Sequence, residues 1–317
     1  MQNDAFPDFP RNLVEFDARF GTEEACRDYL FVQRWPNGFR CPVCGHDHGW
    51  TNKRNLVECS NCHHQTSLTA GTILQGTKKP LWMWFRAMWW VCTQKTGISA
   101  AGLKRILGLK STQTAWAWLH KLRRAMVRAG REKLSGKVQI DDAFVGGEEP
   151  GVKGRQSFKK ARIAVAVEIK EGDYGLGRIR IQHVPDFSAT TLVPFVIHSV
   201  EEGSIVETDG WKGYNPVEEM WFQRIIQRVN SSPENPLPHV NRVITLLKRW
   251  LIGTHQGRVS LKHLQHYLDE FVFRHNRRKS KYVGLLFQRM LKQSSETNPI
   301  PYRVIISKRR KLWFVRQ

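Results

Sequence analysis

The chain has 317 residues and a formal net charge of +22, from 50 Lys and Arg against 28 Asp and Glu. A chain of this length can bury a substantial core and is expected to divide into two or three domains, since one domain typically takes about 100–200 residues. The excess of positive charge predicts a polyanionic partner. Because the basic residues are spread along the whole chain and form no single amphipathic stripe, nucleic acid is favoured over a membrane surface.

The location of the protein is predicted from its apolar segments. The N-terminal MQNDAFPDFP lacks the basic start and apolar run of a secretory signal, so we expect a cytoplasmic protein, associated with the nucleoid. The most apolar run, LWMWFRAMWWVC at 81–92, is interrupted by Arg86 and is shorter than the roughly 20 residues of a membrane span. It predicts a buried, Trp-rich helix with Pro80 in its first turn, and no membrane contact.

Near the N-terminus, residues 22–34 predict a helix capped by Thr22. Two CxxC pairs follow, and their four cysteines are Cys41, Cys44, Cys59 and Cys62. Four thiolates at this spacing suit tetrahedral zinc, and the segment between the pairs has the right length for the β-hairpin of a zinc ribbon. Such a closed site leaves no open position, so this Zn²⁺ is expected to be structural. The alternative, a disulfide or redox pair, is disfavoured by a cytoplasmic location.

The remaining cysteines and the nearby histidines have other expected roles. Cys26 and Cys92 lie on helical stretches and are expected to be small core residues. Four histidines close to the CxxC pairs compete as zinc ligands, but we expect them to be surface or DNA-contact residues: His46, His48, His63 and His64.

A helical region is predicted from about 99 to 134. Within it, AAGLKRILGLKSTQTAWAWLHKLRRAM has an apolar helix, Gly108 at a turn, and Ser111 as the cap of a longer helix, which is the pattern of a helix-turn-helix. The second helix carries candidate DNA contacts at its start and basic residues further on: Thr112, Gln113, Thr114, Lys121, Arg123, Arg124 and Arg128. We expect Trp116, Trp118 and Leu119 to be core residues. The alternative is an ordinary helical hairpin with a solvated basic face.

From Lys137 the pattern changes to short stretches with period-2 alternation. The predicted strands are 137–145, 161–169, 178–184, 204–208 and 224–229. The predicted helices are 188–200, 238–251 and 260–276, and the long loops are 146–160 and 230–238. The order is therefore three strands, a helix, two strands and two helices.

Two aspartates in this β-rich part are candidates for metal binding. Asp141 lies within KVQIDDAFV, and Asp209 follows the apolar strand SIVET. Phosphodiester chemistry without a covalent intermediate needs metal ions held by acidic side chains, and carboxylate and amide oxygens suit magnesium. Taken alone, either aspartate is more typical of a strand cap or a turn.

The sequence resembles a family of insertion-sequence transposases that combine a zinc ribbon with a DDE-type domain of ribonuclease-H fold, in the group numbered fifteen ninety-five. The matching stretches are CPVCG with CSNC, QIDDAFVGG, TDGWKGY, HVNRVITLLKRWLIGTHQGRVS and HLQHYLDEFVFRHNRR, which span most of residues 20 to 290 in the right order. The resemblance implies a multidomain α+β protein. Its predicted parts are an N-terminal helix and zinc ribbon (1–75), a helical, helix-turn-helix-like DNA-binding region (76–134), a ribonuclease-H-like α/β catalytic domain with a mixed sheet (135–295) and a basic tail (296–317).

The resemblance also implies a set of catalytic residues. Asp141 and Asp209 would bind catalytic Mg²⁺ or Mn²⁺ from the first strand and the end of the fourth. At the third position, where many relatives carry Glu, this chain has Asn241, an uncharged ligand on the helix after the fifth strand. Lys248 is seven residues later on the same helix face and would hold a phosphate. The alternative for both is a solvated helix face, and Asp142, on the opposite strand face, and Glu234 are possible substitute ligands.

The implied activity is metal-dependent DNA transposition. Water would attack a phosphodiester at the end of the mobile element, and the freed 3′-hydroxyl would then attack target DNA. The expected partners are double-stranded DNA, as terminal inverted repeats and target, and further copies of the chain in a homodimer or higher oligomer. A basic loop is expected to hold the DNA backbone through Lys153, Arg155, Lys159, Lys160 and Arg162. The alternatives are a non-catalytic DNA-binding regulator derived from a transposase, which Asn241 keeps open, and a nuclease that cuts without joining.

Overall fold

The computed structural model describes residues 9–128, 130–147, 149, 157, 159–170, 175–220, 222–227, 236–257 and 259–307. They form two compact units, one from the described residues of Met1–Arg128 and Lys279–Leu312, the other from those of Ala129–Arg278. No helix among these residues is long and apolar enough to cross a membrane.

The helices, in chain order, are α1 (Leu13–Arg19), α2 (Glu23–Arg34), α3 (Leu81–Thr93), α4 (Ala100–Leu107), α5 (Thr112–Ala125), α6 (Ala189–Ser199), α7 (Pro238–His255), α8 (Leu264–Asn276), α9 (Val283–Glu296) and α10 (Tyr302–Ile306). The strands are β1 (Gly49–Thr51), β2 (Leu56–Cys59), β3 (Gln65–Ser67), β4 (Lys137–Val145), β5 (Ala161–Ile169), β6 (Leu176–Val184), β7 (Ile205–Thr208) and β8 (Gln223–Ile226). The described residues also include 3-10 helices at Lys212–Glu219 and Leu261–His263.

The core of the first unit is aromatic. The predicted helix α2 begins after Thr22, whose hydroxyl accepts the backbone N–H of Ala25 at 3.2 Å. The Trp-rich helix α3 is buried along most of its length, as predicted. Phe287 of α9 is fully buried in this core, and its ring contacts those of Phe16, Phe20, Phe85 and Trp89.

The position of α9 differs from the expected domain organisation. The catalytic domain was expected to extend to residue 295, but α9 packs against α2, α3 and α5 and belongs to the first unit. The physical reason is the apolar face of α9, which completes the aromatic core with Phe287. The helix α10 lies in the segment expected to be only a basic tail, of which residues 308–317 lie outside the described part of the chain.

Two neighbouring helices lie in the segment for which a helix-turn-helix is predicted. The helix α4 is capped at its C-terminus by Gly108, whose φ of 61° lies in the left-handed region that glycine adopts without strain. Ser111 caps α5 by accepting the N–H of Gln113 at 3.1 Å. The helix ends at Ala125, so the predicted helical region to residue 134 is too long. Leu134 instead makes a β-bridge to Val200.

The second unit contains a five-stranded mixed sheet in the order β6-β5-β4-β7-β8. The pairs β4–β5 and β5–β6 are antiparallel, whereas β4–β7 and β7–β8 are parallel. This order of strands and helices along the chain is the one predicted, including α6 with its internal Pro194.

The two faces of this sheet are covered by different helices. Along β4, Ala143 and Val145 pack with α7 and α8, whereas Val138 and Ile140 pack with α6. The alternation follows from the pleat, which sends successive side chains to opposite faces. Odd-numbered residues of β4 therefore face α7 and α8, and even-numbered residues face α6.

Candidate functional site

The four cysteines of the CxxC pairs form one cluster. The Sγ atoms of Cys41 and Cys62 are 3.6 Å apart, as are those of Cys44 and Cys59, and all four lie within 4.8 Å of one another. Ligands at about 2.3 Å from a tetrahedral zinc ion are about 3.8 Å apart, which these distances approach, whereas a disulfide needs about 2.05 Å. The residues therefore fit a structural Zn²⁺.

The two CxxC turns have the same backbone pattern. The N–H of Cys41 donates to the carbonyl of His46 at 2.8 Å, and the N–H of Cys59 donates to that of His64 at 3.0 Å. Gly45 and His63 hold the equivalent position in the two turns, with φ of 74° and 56°. Each turn thus presents both of its thiols to one point, while the strands β1, β2 and β3 form an antiparallel sheet around them.

The thiols of the metal-free cluster differ in acidity. The backbone N–H of His46 lowers the pKa of Cys44 to about 6. The backbone N–H of His64 acts in the same direction on Cys62, but the neighbouring Cys44 thiolate and burial outweigh it and raise that pKa to about 12. Crowded thiols cannot all ionise side by side without a cation, so zinc binding is coupled to proton release.

The other cysteines and the histidines near the ribbon have separate surroundings. Cys26 and Cys92 are buried, and burial raises the pKa of Cys26 to about 12, in agreement with their predicted core positions. The histidines of the two turns are not among the four clustered ligands. His46 and His48 form a second small group with Asp47, whose carboxylate is 2.7 Å from Nδ1 of His48.

The two candidate aspartates lie just beyond the last residue pair between two adjacent parallel strands. The register of β4 and β7 pairs Lys137 with Ile205 and Gln139 with Glu207. Asp141 and Asp209 each lie two residues beyond the last of these pairs, at the carboxyl end of the parallel ladder. Asp141 pairs with Val165 on the other side, so its side chain faces α7 and α8. Asp142 pairs with Ala164 and lies on the α6 face, as predicted.

The turn after β7 holds Asp209 through its own backbone and through a strand neighbour. The Asp209 carboxylate accepts the N–H of Trp211 at 3.1 Å. Arg224 of β8 donates to the hydroxyl of Thr208 at 2.9 Å and to the carbonyl of Asp209 at 3.4 Å. A side chain at Gly213 would lie 2.6 Å from the carbonyl of Phe187, so the TDGWKGY turn accepts only glycine there.

Asn241 lies in the first turn of α7 and Lys248 two turns further on. Asn241 is half-buried at the border of the face that packs on the sheet, and Lys248 is exposed. Beside Asn241, an open groove of about 380 Å³ follows the outer face of α7, and its lining residues are Pro238, Asn241, Arg242, Thr245, Leu246 and Arg249. The groove therefore combines the candidate ligand with two cationic side chains.

Sequence reasoning missed two buried polar residues close to the candidate ligands in the strands, Gln139 and Glu207, both 3% exposed. The side-chain amide of Gln139 donates to Glu207 at 3.0 Å. Burial alone would raise the pKa of Glu207, but hydrogen bonds from Lys137, Gln139 and Gln227 outweigh it and lower the pKa. A signal was present in the sequence, since a glutamine stands at an inward position of KVQIDDAFV.

The candidate DNA contacts of α5 differ in exposure. Gln113 is exposed, and Thr114 and Arg124 are half-buried. The ammonium of Lys121 lies over the ring of Trp84 at 5.9 Å, and burial lowers its pKa. Arg123, expected on the basic face, is 1% exposed and belongs to the core, which corrects that expectation.

Other predicted residues fall into three groups. Trp118 and Leu119 are buried as expected, and Trp118 stacks on Trp84 with ring centroids 3.8 Å apart. Lys159 is exposed and Lys160 half-buried, directly before β5. Three candidates lie outside the described residues: Lys153, Arg155 and Glu234.

Two family models match separate parts of the chain. Residues 133–276 match the ISXO2-like transposase domain, and residues 21–65 match the transposase zinc-ribbon domain. A search of curated proteins gave no match. The two matched domains define an insertion-sequence transposase with an N-terminal zinc ribbon. Within that class, the chain belongs to the group numbered fifteen ninety-five.

Proposed function

We propose that this transposase binds the ends of a mobile element, cleaves the DNA there and joins it to target DNA, using Mg²⁺ or Mn²⁺ held by Asp141 and Asp209. The observation that carries the proposal is the register of β4 and β7, in which Asp141 and Asp209 each follow the paired residues Gln139 and Glu207 by two positions. Adjacent parallel strands lie about 4.8 Å apart, so side chains that follow the same pair could share metal ions.

The fold of the second unit supports a ribonuclease-H-like catalytic domain. The family resemblance requires the first carboxylate on strand one, the second at the end of strand four and the third ligand on the helix after strand five. Counting strands within the unit, Asp141 lies on the first, Asp209 directly follows the fourth, and Asn241 lies on the helix after the fifth. In the sheet, strand one is central, between strands two and four.

Each residue of the proposed site has a distinct chemical role. Metal ions bound there would activate the attacking hydroxyl and stabilise the leaving oxygen. Asp141 and Asp209 supply the negative charge of the site, and Asn241 supplies a neutral amide oxygen. Lys248, with Arg242 and Arg249 of the same helix, would bind phosphates of the DNA strand being cut.

We propose that the first unit supplies most of the specific DNA binding. The turn at Gly108 and the cap at Ser111 support a helix-turn-helix in α4 and α5. Gln113 and Thr114 would then lie at the start of the second helix, where side chains reach base edges. Lys121 and Arg124, and in the second unit Lys153, Arg155, Lys159 and Lys160, would bind DNA backbone. The net charge of +22 favours such a partner.

The setting of the reaction is also proposed from the family. The protein would act in the cytoplasm on nucleoid DNA, as a homodimer or higher oligomer, since two element ends must be joined. The zinc ion of the four cysteines would be structural.

Gln113→Ala together with Thr114→Ala should reduce the preference for cognate over random DNA, and an unchanged preference would argue against this use of α5.

An assay with labelled element-end DNA tests the proposed function. The purified chain is incubated with this DNA, a target plasmid and Mg²⁺ or Mn²⁺. We expect nicking at the element end followed by strand transfer. Binding without nicking would instead support a non-catalytic DNA-binding regulator derived from a transposase, and nicking without transfer would support a nuclease.

A further inference from the structure

We propose that Gln139 is a positioning residue that sets the distance of Asn241 from Asp141 and Asp209. The inference rests on the proposed function, because it concerns the metal site of that reaction. Gln139 touches neither substrate nor metal in this account. It acts through the three backbone elements that carry the ligands.

The side-chain amide of Gln139 joins three elements of the second unit. Its Oε1 accepts the backbone N–H of His239 at 3.0 Å and that of Val240 at 3.2 Å, both in the first turn of α7. Its Nε2 donates to Oε2 of Glu207 at 3.0 Å. One buried side chain on β4 is therefore bound to β7 on one side and to α7 on the other.

The start of α7 needs such a partner. The first N–H groups of a helix have no acceptor within the helix. Leu237 stands at the N-cap and makes no side-chain cap, and Pro238 at the first helical position has no N–H. The N–H groups of His239 and Val240 are capped by the distant Gln139 instead, so the strand fixes where this helix begins.

Glu207 determines which way the amide of Gln139 points. Its Oε1 accepts from Nζ of Lys137 at 2.9 Å and from Nε2 of Gln227 at 3.0 Å, leaving Oε2 to accept from Gln139. An ionised carboxylate only accepts hydrogen bonds, so the NH₂ of Gln139 must face it. The carbonyl oxygen must then face the N–H groups of α7.

Every proposed metal ligand lies within two residues of this network. Asp141 follows Gln139 on the same face of β4, Asp209 comes two residues after Glu207, and Asn241 comes directly after Val240. Residues that orient metal ligands typically affect metal affinity or activity about 10- to 100-fold when replaced. We therefore expect Gln139→Ala to raise the half-saturating Mn²⁺ concentration by about that factor.

An exchange of charges tests the hydrogen-bond pattern itself. Gln139→Glu keeps an acceptor for α7 but faces Glu207 with a second carboxylate, so it should weaken Mn²⁺ binding. Adding Glu207→Gln supplies a donor to the new carboxylate and keeps an acceptor for Lys137 and Gln227. The double variant should recover most of the affinity that the single variant loses. If Gln139 acted only by filling space, the single variant would lose no affinity, because neither exchange changes side-chain size appreciably.

Gln265 offers a matched control in the same unit. This glutamine of α8 also joins a helix to a strand, since its Oε1 accepts the N–H of His183 at 2.8 Å and its Nε2 donates to Asp269 at 2.9 Å. It contacts β6, at the edge of the sheet and two strands away from β4. Gln265→Ala should lower the melting temperature without changing the Mn²⁺ requirement.

The experiment measures Mn²⁺ binding to the full-length, zinc-loaded chain by electron paramagnetic resonance of free Mn²⁺, beside the Mn²⁺ dependence of nicking. Weaker binding in Gln139→Ala and Gln139→Glu, with recovery in the double variant, is the expected result. Equal Mn²⁺ affinity in wild type, Gln139→Glu and Gln265→Ala would overturn this inference but not the proposed function. A wild-type chain that binds no Mn²⁺ would overturn the proposed function and this inference together. If Gln139→Ala does not fold, the two exchange variants decide.

Discussion

Arg224 donates its Nε–H to the hydroxyl of Thr208 at 2.9 Å, and its side chain is 1% exposed. Thr208 is the last residue of β7, so this contact restrains the backbone directly before Asp209. Arg224 also donates to the side chains of Asn215 and Glu218, at 3.0 and 3.3 Å, within the 3-10 helix that follows. A single guanidinium on β8 therefore holds the whole turn that carries the second proposed ligand.

Replacement of Arg224 should affect both stability and metal use. Arg224→Ala leaves the hydroxyl of the buried Thr208 without this donor, which costs about 1–3 kcal/mol. The loosened turn should also raise the Mn²⁺ concentration for half-maximal nicking about tenfold or more. Thermal unfolding and an Mn²⁺ titration of the nicking rate measure the two effects.

Arg34 of the first unit supplies the control for Arg224. It also makes several hydrogen bonds, in this case to backbone carbonyls, among them that of Ser67 at 2.9 Å. Arg34→Ala should lower stability while leaving the Mn²⁺ requirement unchanged. Equal Mn²⁺ requirements in both variants would contradict a role of Arg224 at the metal site.

Asn241→Asp should strengthen metal binding. The neutral amide contributes no charge, and affinity for hard cations rises with the number of charged ligands. We expect the half-saturating Mg²⁺ concentration to fall roughly tenfold. Ile252→Asp adds the same charge at an exposed position about three turns further along α7, and a similar fall in this variant would show that Asn241 is not a ligand.

The two equivalent turn positions of the zinc ribbon should respond differently to substitution. Gly45 has a φ of 74°, and no atom lies within 4 Å of the point that a Cβ would occupy, so Gly45→Ala costs only backbone strain, about 1–2 kcal/mol. His63 already adopts a φ of 56° with a side chain, and His63→Gly relieves that strain. Competition with a chelator should therefore show weaker zinc binding for Gly45→Ala and no weakening for His63→Gly. The reverse order would contradict the geometry of the two turns.

Glu168 should make the second unit sensitive to acid. Burial alone would raise the pKa of Glu168, but hydrogen bonds from the side chain and backbone of Arg178 and from the backbone of Ser135 outweigh it and lower the pKa to about 2. The folded-state pKa lies below the unfolded one, so the stabilisation is fully present above about pH 4.5 and is lost as the pH falls towards about 2. Glu168→Gln should have a lower free energy of unfolding than wild type at pH 7. This difference should shrink as the pH falls from about 4.5 towards about 2. A difference in urea unfolding that does not change with pH would contradict this account.

Much of the fold follows from local patterns in the sequence. Strand β5 is an apolar run that ends at the predicted residues, and α2 begins at its predicted cap, because strand burial and helix capping depend on near neighbours. The place of α9 could not be predicted, since it depends on contacts between Phe287 and residues such as Phe16 that lie far apart in the chain. The burial of Arg123 had the same cause, because a helix does not reveal which of its faces other helices will cover.

The sequence proposes the residues of the candidate site but not the contacts that hold them in place. Asp141, Asp209 and Asn241 were identified through the family resemblance. The supporting roles of Gln139 and Arg224 depend on the register of β4 with β7 and of β7 with β8, which the sequence does not specify. A buried polar residue shows that a partner exists, but only the pairing of strands shows which one.

The rate of metal-dependent nicking in Asp141→Asn and Asp209→Asn, beside Asp142→Asn, tests the central claim most directly. Asp142 is the matched control, because it carries the same charge on the opposite face of β4. The account predicts that Asp141→Asn and Asp209→Asn lose about 100- to 1000-fold in nicking rate while still binding element-end DNA, and that Asp142→Asn nicks like wild type. Wild-type nicking by Asp141→Asn or Asp209→Asn would contradict it.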